Sequence, residues 1–212
     1  MTEKSKAVSK ARDASLSRQQ ATRPQQQTLP LDERLDRACQ HVVRARLFLD
    51  LWFYFEEKTT RHKIFETMER YNEFFRFTPH AYFLSYVIHI AAMFDRTRDT
   101  ISLPRLAKEM KDARVIQGQE ATKVDALLDE AAPIAAKVNT LRHGAFAHRS
   151  ARISYDGIFK LAAVKPDQLR DLTEVALKIA NRLLLARGLR DQYFSTLPRD
   201  DAIAMMKALA ES

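Results

Sequence analysis

The chain has 212 residues, 46% hydrophobic and 29% charged, enough for one domain of ordinary size with a real core. Its single cysteine, Cys39, excludes an internal disulfide framework and a cysteine-based zinc cluster. The 4 glycines and 7 prolines are too few to punctuate a loop-rich fold, and the formal charge of +8 favours polyanionic partners without choosing among them.

Residues 1–29 carry six basic side chains against two acidic ones, a net +4, so half of the excess charge is local. This stretch has almost no large apolar residues and includes the run Gln25-Gln26-Gln27. It cannot bury enough surface to offset its ordering entropy, and it is expected to be a disordered basic tail. It also lacks the apolar core of a secretory signal. The remainder, 30–212, reads as one all-α domain.

A first helix is expected from about Leu31 to Glu57, where Leu35, Cys39, Val42, Leu49 and Trp52 recur at helical spacing. Cys39 falls on this stripe as a small buried residue. A second helix is expected from about Lys63 to Phe75, with Phe65, Met68 and Phe75 inward. Phe74, Phe75 and Phe77, with Tyr82 and Phe83, read as core rather than as a platform for stacking bases. Thr78-Pro79 opens a third helix, to about Arg96, apolar nearly all round and so central. Its apolar run, Ala81 to Phe94, is too short to cross a bilayer. No membrane association is expected, and the cytoplasm follows by elimination.

Ser102-Leu103-Pro104 starts a short helix to about Lys111, and Gly118 marks a break. The next long pattern spans Gln119 to about Gly144, with Pro133 expected to kink or divide it. Asp156-Gly157 is a tight-turn signal that suggests a small hairpin or loop between Ile153 and Phe159. Pro166 opens the last long helix, which Gly188 ends. A short amphipathic helix near Pro198 to Leu209 closes the chain.

The chemistry concentrates in Leu141-Arg142-His143-Gly144-Ala145-Phe146-Ala147-His148-Arg149. Cleaving RNA through its own 2′-OH needs a base, an acid and positive charge at the phosphorane. Histidine titrates near working pH, and arginine holds two phosphate oxygens with a planar fork. His148 is therefore the candidate general base or acid and Arg142 the phosphate clamp. His143 would orient substrate or share proton transfer, and Arg149 would hold a flanking phosphate. On a continuous helix, six positions turn about 600°, which leaves Arg142 and His148 about 120° apart. Either Gly144 relaxes the helix, or two copies of the chain build one site across a two-fold axis.

An Arg followed at once by a polar residue and, five residues later, by His resembles the HEPN signature. Ala147-His148, Phe94-Asp95-Arg96 and Ile101-Ser102-Leu103 are similar to its abortive-infection, AbiU-like, branch. The resemblance covers roughly 31–190. It implies a helical bundle that dimerises with its motifs facing each other, and metal-independent RNA cleavage in active members. It also implies a defence or toxin-like role, with an antitoxin protein as a possible partner.

No cofactor or metal is expected. His41, His62, His80 and His89 are scattered and show no zinc-binding spacing. Asp95 and Asp99, near Arg96 and Arg98, read as a solvated helix end, with Asp95 alternatively a supporting partner of the motif. Two competing readings are a HEPN-like bundle that binds RNA, nucleotide or a partner protein without cutting, and a helical scaffold in which the motif is coincidental.

Overall fold

The computed structural model describes residues 28–97, 100–147 and 155–212. The tail expected at 1–29 lies outside these residues except for 28 and 29. Residues 31–212 form one compact unit, and helices make up 81% of the described residues, with no strand among them. The expected all-α class is what the chain adopts.

The first helix, α1 (Leu31–Glu56), is the longest. Its residues Leu35, Cys39, Val42 and Leu49, with Ala38 and Ala45, are all buried, as the spacing required. Asp32 and Glu33 sit in its first turn, where the helix dipole favours negative charge. Burial raises the pKa of the Cys39 thiol to about 11, with Asp36 adding to the shift.

Short helices α2 (Lys58–Arg70) and α3 (Asn72–Phe75) follow. The second expected helix is thus longer at its start and broken before Phe75. Phe65 does not point inward; it is exposed, as are Phe74 and Phe77, while Met68 and Phe75 are buried. The break at Tyr71 turns one expected apolar face into two.

Helix α4 (Thr78–Met93) begins with Pro79 in its first turn and runs antiparallel to α1, pairing His41 with His89, Phe48 with Tyr82 and Trp52 with Phe83. Helix α5 (Leu103–Asp112) starts at Ser102, as expected. Helix α6 (Gly118–Leu141) runs unbroken through Pro133 rather than dividing there. Pro133 is exposed, so the carbonyl it cannot bond lies on the solvent side.

The turn signal at Asp156-Gly157 is overridden: Tyr155–Ala162 form helix α7, with Ile158 and Ala162 buried against the core. Two apolar anchors one turn apart outweigh a local turn preference. Lys137 of α6 donates to the Ala163 carbonyl just beyond α7, at 3.1 Å, where a cation suits the helix end.

Helix α8 (Pro166–Ala186) ends at Gly188, φ +69°, as the sequence suggested. Leu189 N–H donates to the Leu184 carbonyl and Gly188 N–H to the Leu185 carbonyl, a Schellman closure. Helix α9 (Leu197–Glu211) completes the bundle.

The main core joins α1, α4, α5, α6, α7 and α8. A smaller cluster of Leu51, Tyr54, Phe55, Met68, Phe75, Ala202 and Met206 joins the end of α1 to α2, α3 and α9. At the centre, fully buried Tyr86 of α4 donates to the Leu169 carbonyl of α8 at 2.9 Å, and Thr173 donates to the same oxygen at 2.8 Å. Tyr86→Phe is expected to lower stability by about 1 kcal/mol, read by urea unfolding. An unchanged midpoint would show that Thr173 alone satisfies that carbonyl.

Candidate functional site

Val138 and Leu141 are fully buried in the last turn of α6, which fixes where Arg142 leaves the helix. Arg142–Ala147 then form a π-helical turn instead of continuing the α-helix. Such turns bond i to i+5 and cluster at functional sites. The α-helical register used to place Arg142 and His148 therefore does not hold across Gly144. Gly144 has a packing reason. A Cβ built there would lie 3.0 Å from Cγ2 of Ile158, which is buried in α7. The glycine lets α7 press directly on the turn.

Arg142 Nη1 donates to Asp95 Oδ2 at 3.0 Å, and both side chains are mostly buried. Asp95 sits just past α4 and divides its oxygens between two tasks. Its Oδ1 accepts from the Thr97 backbone N–H at 2.8 Å and the Thr97 hydroxyl at 2.6 Å, while Oδ2 holds the arginine. The Thr97 carbonyl in turn accepts from Arg105 of α5 and from the Thr100 hydroxyl. These bonds hold the Asp95 carboxyl at a pKa of about 2, down from 3.8, the Thr97 bonds contributing more than Arg142. Among the described residues, Asp95 is the hydrogen-bond partner of the Arg142 side chain.

An open groove of about 910 Å³ runs along α6 beside this ion pair. Asp95, Arg96, Arg105 and the exposed His143 line one stretch of it, and Asp125 and Asp129 another. His143 and Asn139, one turn apart, share that wall.

Of the candidate site residues, His143 thus lines the groove, and Arg142 is tied to it through its ion pair with Asp95, which lines it too. His148 and Arg149 lie outside the described residues, as do Arg98 and Asp99. Asp95, read mainly as a solvated helix end, is instead half-buried and is the partner of Arg142. Pairing with the motif is the alternative role that the sequence left open for it. The four histidines read as scattered are not all so: His41 Nδ1 and His89 Nδ1 lie 2.8 Å apart, and burial, with Arg44 nearby, lowers the pKa of both. Among the described residues, no three His, Cys, Asp or Glu side chains group as a metal site. No helix of the described residues is long and apolar enough to cross a membrane.

A family model for the HEPN domain AbiU2 matches residues 29–204. The chain belongs to the AbiU2 family. It is therefore a member of the abortive-infection branch of the HEPN superfamily, and the match extends into α9, beyond the 31–190 that the motif-level resemblance covered. No curated protein and no solved structure matches the chain.

Two outcomes follow for this AbiU2 domain. Gly144→Ala is expected to destabilise it by about 1–3 kcal/mol through overpacking, and Ile158→Val should recover part of the loss in a double-mutant cycle; additive effects would mean the contact is not the cause. For Asp95, a folded pKa below the unfolded one means its contribution is present above about pH 4. That contribution is lost as the pH falls toward 2. The stability gap between wild type and Asp95→Asn should therefore close between about pH 5 and 2, followed by denaturant unfolding at each pH. A constant gap would assign the effect to something other than the carboxylate charge.

Proposed function

We propose that this AbiU2-family chain is an endoribonuclease that cuts RNA by 2′-OH attack, without a metal in the chemical step, in a defence or toxin-like role. The observation that supports this reading is the half-buried Arg142, ion-paired to Asp95, which lines a groove together with the exposed His143. A fork held in place loses little freedom when it takes two non-bridging phosphate oxygens.

In this reading Arg142 neutralises the charge that builds on the phosphorane. His148 removes the 2′-OH proton or protonates the departing 5′-oxygen, and His143 supplies the complementary transfer or orients the RNA. Arg149 holds a flanking phosphate. The products are a 2′,3′-cyclic phosphate and a free 5′-OH. Two copies of the chain bring their motifs together, so that a homodimer holds one composite site, and an antitoxin protein is the class of partner that would restrain it.

A second reading, a bundle that binds RNA without cutting it, draws on the same ion pair. The Asp95 carboxylate offsets the Arg142 charge and weakens a catalytic clamp more than a binding contact.

The test is RNA cleavage in EDTA by wild type, Arg142→Ala and His148→Ala, with product ends identified by mass spectrometry. Each variant is expected to lose about 10²-fold or more of the rate, and Asp95→Asn less. Cyclic-phosphate ends support the mechanism. Wild-type activity abolished by EDTA, or variants that cut as wild type does, would overturn it; binding without cutting would select the second reading. Activity from a strictly monomeric chain in sedimentation would remove the composite site.

A further inference from the structure

We propose that His41 of α1 and His89 of α4 form a two-imidazole chelate for a divalent transition-metal ion of the copper(II)–nickel(II) class, clamping the two helices together.

The residues are 48 positions apart, yet the antiparallel pairing of α1 and α4 brings their Nδ1 atoms to 2.8 Å, with ring centroids 4.9 Å apart and planes at 49°. Two nitrogens each about 2.0 Å from a metal, at right angles to one another, are about 2.8 Å apart. A tetrahedral centre would need about 3.3 Å. The separation thus fits neighbouring corners of a tetragonal ion, the geometry of copper(II) and nickel(II).

The ligands are preorganised. Val42 and Ile90, their chain neighbours, are fully buried, which holds the backbone beneath both rings. Phe48 stacks on His89 with centroids 5.5 Å apart and planes at 17°, which fixes that imidazole's orientation. Positions on packed helices hold ligands more accurately than loops do. Both rings are half-buried, so the remaining coordination positions open to water.

In the metal-free chain one Nδ1–H donates to the other Nδ1. On metal binding that proton moves to Nε2 of its own ring, leaving two lone pairs and releasing no net proton. The donor set also defines selectivity. With two imidazoles and no carboxylate in the group, magnesium and calcium, which need oxygen ligands, are excluded, as is a closed four-ligand zinc site. The exposed cation Arg44 faces the pair and weakens it for any metal.

The experiment titrates the full chain, free of any tag histidines, with copper(II) chloride by calorimetry. Wild type is expected to bind one ion that His41→Ala and His89→Ala each bind about tenfold or more less tightly. Arg44→Gln is expected to bind it more tightly. Copper should raise the unfolding temperature of wild type and not that of the double variant. If the variants fail to fold, copper(II) chloride added below one equivalent to ¹⁵N-histidine-labelled wild type decides: selective paramagnetic broadening of the His41 and His89 Nδ1 resonances supports the chelate, and broadening that spares them overturns it. Equal copper affinity in wild type and double variant also overturns it. RNA cleavage in EDTA is untouched by either result, so this inference and the nuclease reading fail separately.

Discussion

Everything in this bundle is arranged around the burial of α1. A 26-residue helix exposes one long apolar stripe, and no single partner can cover it. Helices α4 and α8 cover most of its length, and α2, α3 and α9 close over its C-terminal end. Tyr86 and Thr173 then bind α4 to α8 where both pass the middle of the core. That frame places the end of α4 beside the end of α6, and so places Asp95 within reach of Arg142.

The ion pair between them sits at a boundary between stability and use. A guanidinium this enclosed needs a carboxylate, because an unpaired buried charge is costly. Yet a guanidinium fully sated by acceptors would have nothing left for a phosphate. The arrangement meets both demands by geometry. One carboxylate oxygen faces the arginine through a single guanidinium nitrogen, and the other is spent on Thr97.

What could be read from the residues alone divides along physical lines. The α1 stripe, the start at Ser102 and the end at Gly188 were legible because each depends on local periodicity or on a single backbone conformation. Pro133 does not divide α6, because on the wet side of the helix the carbonyl it leaves unbonded can be met by water. Asp156-Gly157 misled because Ile158 and Ala162 bury into the core, and tertiary packing outweighs a dipeptide's preference. Phe65, Phe74 and Phe77 looked like core by type but are exposed, and after the break at Tyr71 only Phe75 of its neighbours turns inward. At the candidate site, Arg142 and His143 were legible from the motif. Asp95 was legible only as the second of two readings and the His41–His89 pair not at all, since contacts 47 and 48 residues apart leave no spacing to read.

The enclosure of Cys39 has a chemical corollary. With its pKa near 11, only about one molecule in ten thousand carries the reactive thiolate at neutral pH. Burial of Cys39, 1% exposed, also keeps thiol reagents from reaching the chain's one sulfhydryl in the native state. A cysteine placed anywhere on the surface would be the sole handle for a fluorophore or spin label, with the natural residue left in place.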